Sequence, residues 1–266
     1  MNADLSGYTE FELSAAVGRV IEEVVKPPEL SPCNEPLSFL LGGQSGAGKT
    51  ILHKIFRERL ATNAIVINGD EYRRTHPHYE ELQAVYGRDA ISHTRAWAGA
   101  MVEHLVDALS RASYNLIVEG TLRTAEVPLR TAALLRSRGY SVSLALLAVK
   151  PEISLVSCQI RFEQMRLLGT VPRSTDPAYH NGIVHDIVDN LAVLEQSSLF
   201  DEIYIYDRME RCIFPSGIGQ EEPDGAGFVN LAASEVLREK LFGAWTEQEK
   251  AHLAFLEHQL AALREL

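Results

Sequence analysis

The chain has 266 residues, 46% hydrophobic and 23% charged, with a formal net charge of −11. That balance suits one large α/β domain or two small ones, and the acidic excess argues against nucleic acid or an anionic membrane as main partner. Cys33, Cys158 and Cys212 are widely spaced and form no C-x-x-C pair. They read as reduced thiols, and no membrane-length apolar run or signal peptide is visible, so the expectation is a cytoplasmic protein.

Residues 8–25, YTEFELSAAVGRVIEEVV, predict a helix, with Thr9 and Glu12 at capping-box spacing. With the Pro-rich hinge KPPELSPCNEP it makes an N-terminal unit over 1–30. A core over 36–215 opens on the strand LSFLL, followed by GGQSGAGKT and the helical run ILHKIFRERL. A second strand, AIVINGD (64–70), ends in Asp70, and two helices are expected between 78 and 112. The strand NLIVEGT (115–121) precedes a helix over 126–138 that Gly139 stops, then the strand SVSLALLAV (141–149). A helix over about 151–167, the loop LGTVPRSTDP, a helix over 179–198 and a last strand EIYIYDR complete the core. SGIGQEEPDGAG (216–227) has linker composition, and two helices fill 228–266, the second capped by Thr246 and Glu249. Apolar strands alternating with helices predict a parallel sheet covered on both faces, an α/β architecture.

From Gly43 the spacing is G-x-x-x-x-G-K-T, between a strand and a helix, which is the phosphate-binding loop of P-loop proteins. Backbone N–H groups of Gly43, Gln44, Ser45, Gly46, Ala47 and Gly48 would cradle the phosphates of ATP or GTP, Lys49 would reach the β- and γ-phosphates, and Thr50 would ligate Mg2+. In open parallel sheets ligands sit at the carboxyl ends of strands, and Asp70 and Glu119 fall at two such ends. Either acid could simply cap a helix. Beside a phosphate loop, Asp70 is better placed as general base for a hydroxyl acceptor, as in small-molecule kinases.

Arg161 and Arg173, twelve residues apart on a helix–loop–helix, fit a lid near 161–178 that places cations on a transferred phosphoryl group. Arg123 follows the third strand. Each arginine also fits a solvated surface position. The pairs His76/His78 and His180/His185 lack a third ligand at metal-site spacing and read as solvated or capping histidines.

The set LLGGQSGAGKT, INGDEYRRTHPHYEELQ, YNLIVEGTLRT, IRFE, an arginine in the lid and IVDN-x-x-x-L resembles the zeta toxin family over nearly the whole chain. The resemblance implies a P-loop kinase fold and a kinase that uses ATP and Mg2+ to phosphorylate the 3′-hydroxyl of the amino sugar in UDP-N-acetylglucosamine, stopping cell-wall synthesis. It also implies an epsilon-type antitoxin over the nucleotide site; a restraint in cis by the C-terminal helices is the other expectation. Carried over by position, Lys49 and Thr50 match the phosphate and Mg2+ residues and Asp70 the catalytic base. Glu103, Glu119, Thr121 and Arg123 match positions lining the UDP-sugar cleft, and Arg161 and Arg173 the pair on the moving phosphate. The chain departs from the pattern at Asn68, where the family often has Asp, and after Arg173, where STDPA replaces A-T-P-K. A kinase of another small acceptor, such as a nucleoside or antibiotic hydroxyl, or a nucleotide-binding switch, stays open.

Overall fold

The structure is a computed structural model that describes residues 5–172, 174–215 and 231–266. Helix α1 (Glu10–Val24) starts at the expected capping box: Thr9 N–H donates to Glu12 Oε2 at 2.8 Å, and Glu12 N–H donates to Thr9 Oγ1 at 3.3 Å. The chain continues through β1 (Leu37–Gly42), α2 (Thr50–Arg59), β2 (Ile65–Asn68), the short α3 (Gly69–Tyr72), α4 (Tyr79–Tyr86), α5 (Ala90–His93) and α6 (Arg95–Arg111). It goes on through β3 (Leu116–Glu119), α7 (Glu126–Ser137), β4 (Ser141–Leu147), α8 (Pro151–Leu167), α9 (Pro177–Glu195), β5 (Glu202–Tyr206) and β6 (Cys212–Pro215). Helices α10 (Ala233–Phe242) and α11 (Glu247–Arg264) follow.

The strands form one sheet in the order β2-β3-β1-β4-β5-β6. The first five are mutually parallel and β6 runs antiparallel on β5. Side chains of β1 divide between two cores: Leu40 joins the one built with α1, α6, α9 and α10, whereas Phe39 and Leu41 join the one built with α2, α8 and α11. Burial on both faces is why the strand reads as a continuous apolar run. β1 stands at the switch point of the winding, with β3 on one side and β4 on the other, so the crevice above the carboxyl ends of β1 and β3 is open to a ligand.

Several expectations are corrected. EIYIYDR does not end the sheet: the chain reverses at Asp207, whose carboxylate accepts N–H bonds from Met209 at 2.8 Å and Arg211 at 3.1 Å, and returns as β6. Four residues ending in proline carry too little strand pattern to be noticed, and an antiparallel edge strand tolerates that proline. The second strand stops at Asn68, so Asp70 lies in α3, one turn of helix whose N-cap is the Asn68 side chain, accepting from Asp70 N–H at 3.1 Å. The stretch 78–112 holds three α-helices and a 3-10 turn over Gly87–Asp89 rather than two helices. The helix expected over 179–198 runs from Pro177 to Glu195, because Asp176 caps it by accepting from Tyr179 N–H at 2.7 Å and proline suits the first turn.

The C-terminal helices pack on the body of the same chain. The Glu195 carboxylate accepts from the N–H groups of Ala233 and Ser234, capping α10 from α9. In α11, Leu256 and Leu260 are buried, and Leu253 and Leu263 pack beside them. Arg166 on α8 reaches Leu263 O at 3.3 Å, and Arg264 Nε lies 3.7 Å from Glu163 on α8. The segment expected to act as a linker, 216–227, lies outside the described residues.

Candidate active site at the phosphate loop

The turn from β1 into α2 is shaped by glycine. Gly46 has φ +76° and Gly48 φ +94°, and a Cβ on Gly46 would come within 2.0 Å of Ser154 O on α8. Only glycine lets the loop lie this close to that helix. The Gln44 side chain turns away from the loop into the body, donating to Val149 O at 2.7 Å and Ser154 Oγ at 3.2 Å. Ala47 is buried. Ser45, Gly46, Gly48, Lys49 and Thr50 line a cleft of about 1000 Å³, whereas Gly43, Gln44 and Ala47 do not.

Lys49 Nζ donates to Gly43 O at 2.8 Å and lies 3.7 Å from Glu119 Oε1. Burial pulls its ammonium below the usual lysine range, against the opposing charges of Glu119 and Asp70. Burial alone would raise the Glu119 carboxyl, but His53, with Nε2 2.7 Å from Glu119 Oε2, and the Lys49 charge outweigh it and hold it below the ordinary value. Glu119 is therefore an ionised carboxylate at the end of β3, flanked by two cationic or protonatable groups from the loop helix.

Asp70 faces the same cleft from α3. Its Oδ1 accepts from Arg73 Nε at 2.8 Å, and Arg73 is itself anchored by donating to Ile91 O at 2.8 Å and Thr94 Oγ1 at 3.1 Å. Thr121 and Glu103 also line the cleft, Glu103 ion-paired with Arg130. Arg161 enters from α8, exposed and with no carboxylate at ion-pair distance among the described residues. Arg123 stands in an adjoining cavity of about 310 Å³, donating to Tyr179 Oη at 2.7 Å, and the Arg95 guanidinium lies 5.6 Å from the centre of the same ring. Arg173 lies outside the described residues.

Six Lys and Arg side chains line the cleft against four carboxylates, in a chain whose net charge is −11. That local reversal of sign suits a polyanionic ligand. Arg73, Arg95, Arg130 and Arg208 belong to this surface, and His53 pairs with its Glu119; all five escaped sequence reasoning. Arg73 had a signal, standing one helical turn after Asp70; His53 stands one turn after Lys49, and Arg95, Arg130 and Arg208 come from distant segments. His76 is buried against Tyr8 and Trp97, His180 contacts Ser154 Oγ at 2.9 Å, and His185 stacks on Phe242.

The fold and this cleft define a P-loop α/β protein of the kinase type. Residues 22–218 match the zeta toxin family profile, and the chain belongs to that family. It is 41% identical to Toxin PezT of Streptococcus pneumoniae serotype 4 (strain ATCC BAA-334 / TIGR4) over 263 residues, 98% of this chain and 99% of that protein. It is 32% identical to Toxin zeta of Streptococcus pyogenes over 207 residues, 77% of this chain and 71% of that protein. A structure solved for the PezAT chromosomal toxin–antitoxin system of the human pathogen Streptococcus pneumoniae superposes with a TM-score of 0.85 at 40% identity, covering 98% of this chain and 99% of that one.

Proposed function

We propose that the protein is a toxin kinase that transfers the γ-phosphate of ATP to the 3′-hydroxyl of the amino sugar of UDP-N-acetylglucosamine, withholding that sugar from cell-wall synthesis. The observation that carries the reading is the meeting of Lys49, Asp70 and Arg161 in one cation-rich cleft beside the phosphate loop. Lys49 would leave its carbonyl acceptors for the β- and γ-phosphates. Asp70, oriented by Arg73, would accept the hydrogen bond of the acceptor hydroxyl, align its oxygen and take the proton late, because a loose transition state needs little nucleophile activation. Arg161 and Arg173 would face the charge spreading over the moving phosphoryl group. Glu103, Glu119, Thr121 and Arg123 would hold the UDP-sugar.

The residues fit Mg2+. Thr50 is exposed to the cleft at the start of α2 and its hydroxyl makes no hydrogen bond among the described residues. No cluster of three His, Cys, Asp or Glu side chains suited to a metal occurs among those residues; an ion at Thr50 would take most of its ligands from phosphates and water. When bound there, Mg2+ neutralises phosphate charge.

The relative of known structure comes from a toxin–antitoxin system, and we read this chain as having an antitoxin of its own that covers the nucleotide cleft. Among the described residues no helix is long and apolar enough to cross a membrane. Mass spectrometry of purified protein with Mg-ATP and a panel of UDP-sugars and nucleosides tests the reading. One phosphoryl group gained by UDP-N-acetylglucosamine supports it; a gain only on a nucleoside moves the acceptor, and ATP binding without any transfer makes the protein a switch.

A further inference from the structure

Arg208 lies two residues beyond β5 and lines the cleft with no specific role in the proposed transfer; it holds the phosphate loop by its carbonyls. Its Nε donates to Ala47 O at 2.9 Å, and its Nη2 donates to Gly46 O and, at 3.0 Å, to Ser157 Oγ on α8. Its Nη1 lies 3.2 Å from His252 Nε2 on α11. Arginine has donors only, so His252 accepts there and carries its own proton on Nδ1. Burial pulls the guanidinium below its usual range, and no carboxylate among the described residues pairs with it. A half-buried cation without an anion is costly unless its donors are used, and here backbone carbonyls of the loop use them.

The consequence lies in peptide geometry. In a trans peptide the carbonyl of one residue and the N–H of the next point in opposite directions. Ala47 N–H is already spent on Gln44 O at 3.2 Å. Drawing the Ala47 carbonyl onto Arg208 turns the N–H of Gly48 away from Arg208, and that N–H is one of those that would cradle phosphate in the nucleotide reading. Gly48, with φ +94°, has the freedom to let that peptide flip, which would aim the carbonyl at an anion instead.

We propose that Arg208 is a positioning residue that fixes the Ala47–Gly48 peptide for phosphate binding, that His252 holds Arg208 in place, and that α11 is thereby part of the nucleotide site. The inference rests on the nucleotide reading but not on the identity of the acceptor. It makes the C-terminal helix a support of the site rather than a restraint on it.

The test is calorimetric binding of Mg-ATP to the full chain and its variants. Arg208→Met is expected to weaken binding about 10- to 100-fold, the range for losing hydrogen bonds from a charged donor. His252→Leu is expected to weaken it about 3- to 10-fold, and His252→Gln, whose amide oxygen can accept in the same place, to recover most of that loss. The double variant Arg208→Met/His252→Leu should bind no worse than Arg208→Met alone, because His252 acts through Arg208. Where transfer is measured, KM for ATP rises while KM for the acceptor stays put. Wild-type protein that binds no Mg-ATP rejects the nucleotide reading and this inference with it. Wild-type that binds, with Arg208→Met or Arg208→Lys within twofold of it, rejects the inference alone. Additive losses in the double variant remove His252 from it, and an Arg208→Met chain that does not fold leaves the His252 series to decide.

Discussion

Lys49 Nζ stands 3.7 Å from Glu119 Oε1, so the ammonium of the phosphate loop already faces a carboxylate from the neighbouring strand. The pair joins the ends of β1 and β3 across the switch point of the sheet. A buried ammonium depressed by desolvation is a burden on the fold that a phosphate relieves. Lys49→Met should therefore abolish phosphoryl transfer while melting at the same temperature as wild type or above it. Transfer at the wild-type rate would reject the loop as the nucleotide site.

Glu119 yields a pH prediction. Its folded-state carboxyl lies below the ordinary 4.5, so the stabilisation it brings is present above that value and is lost as pH falls through the folded value. Glu119→Gln should lower the melting temperature at pH 7, and the gap should close as the pH is taken below about 4.5. Thermal melts of both proteins across that window check it; a gap independent of pH would mean that shape, not charge, is at stake.

Asp70→Asn keeps the size of the side chain and an acceptor for Arg73 Nε. Binding of ATP and UDP-sugar should stay near wild type while kcat falls by about 10² to 10⁴, the span expected for a general base. Asparagine caps a helix almost as well as aspartate, so a residue that merely capped would lose nothing. Single-turnover transfer with binding measured on the same sample separates the two.

Arg161→Ala should lower kcat by about 10² to 10³ and change KM little, because its charge would act mainly on the transition state. Arg173→Ala is expected to behave alike. A variant of either with unchanged kcat returns that arginine to the solvated surface.

Leu260 is 6% exposed where α11 meets α8. Leu260→Ala should destabilise the fold by about 2–4 kcal/mol. A chain ending near residue 226 should be insoluble or inactive, since it would bare this face. A soluble truncation more toxic than the full chain would instead favour restraint in cis.

The phosphate loop, the order of strands and helices and the capped ends of α1 and α11 were legible in the sequence. Each depends on residues close together in the chain: glycines at the loop, apolar runs of strand length, Thr9 three residues before Glu12. The acids Asp70 and Glu119 were legible as strand-end candidates because a parallel sheet gathers strand ends on one edge, although Asp70 proved to sit within the single helical turn that follows the strand. Tertiary structure alone decided the rest. β6 exists because the Asp207 turn offers β5 an edge partner, which four residues ending in proline do not announce. Arg208 meets the carbonyls of Gly46 and Ala47 across 160 and more positions of chain, and His53 meets Glu119 because α2 starts where β1 ends beside β3. Such pairings leave no periodicity or spacing in the sequence, since the distance that matters is set by the winding of the sheet.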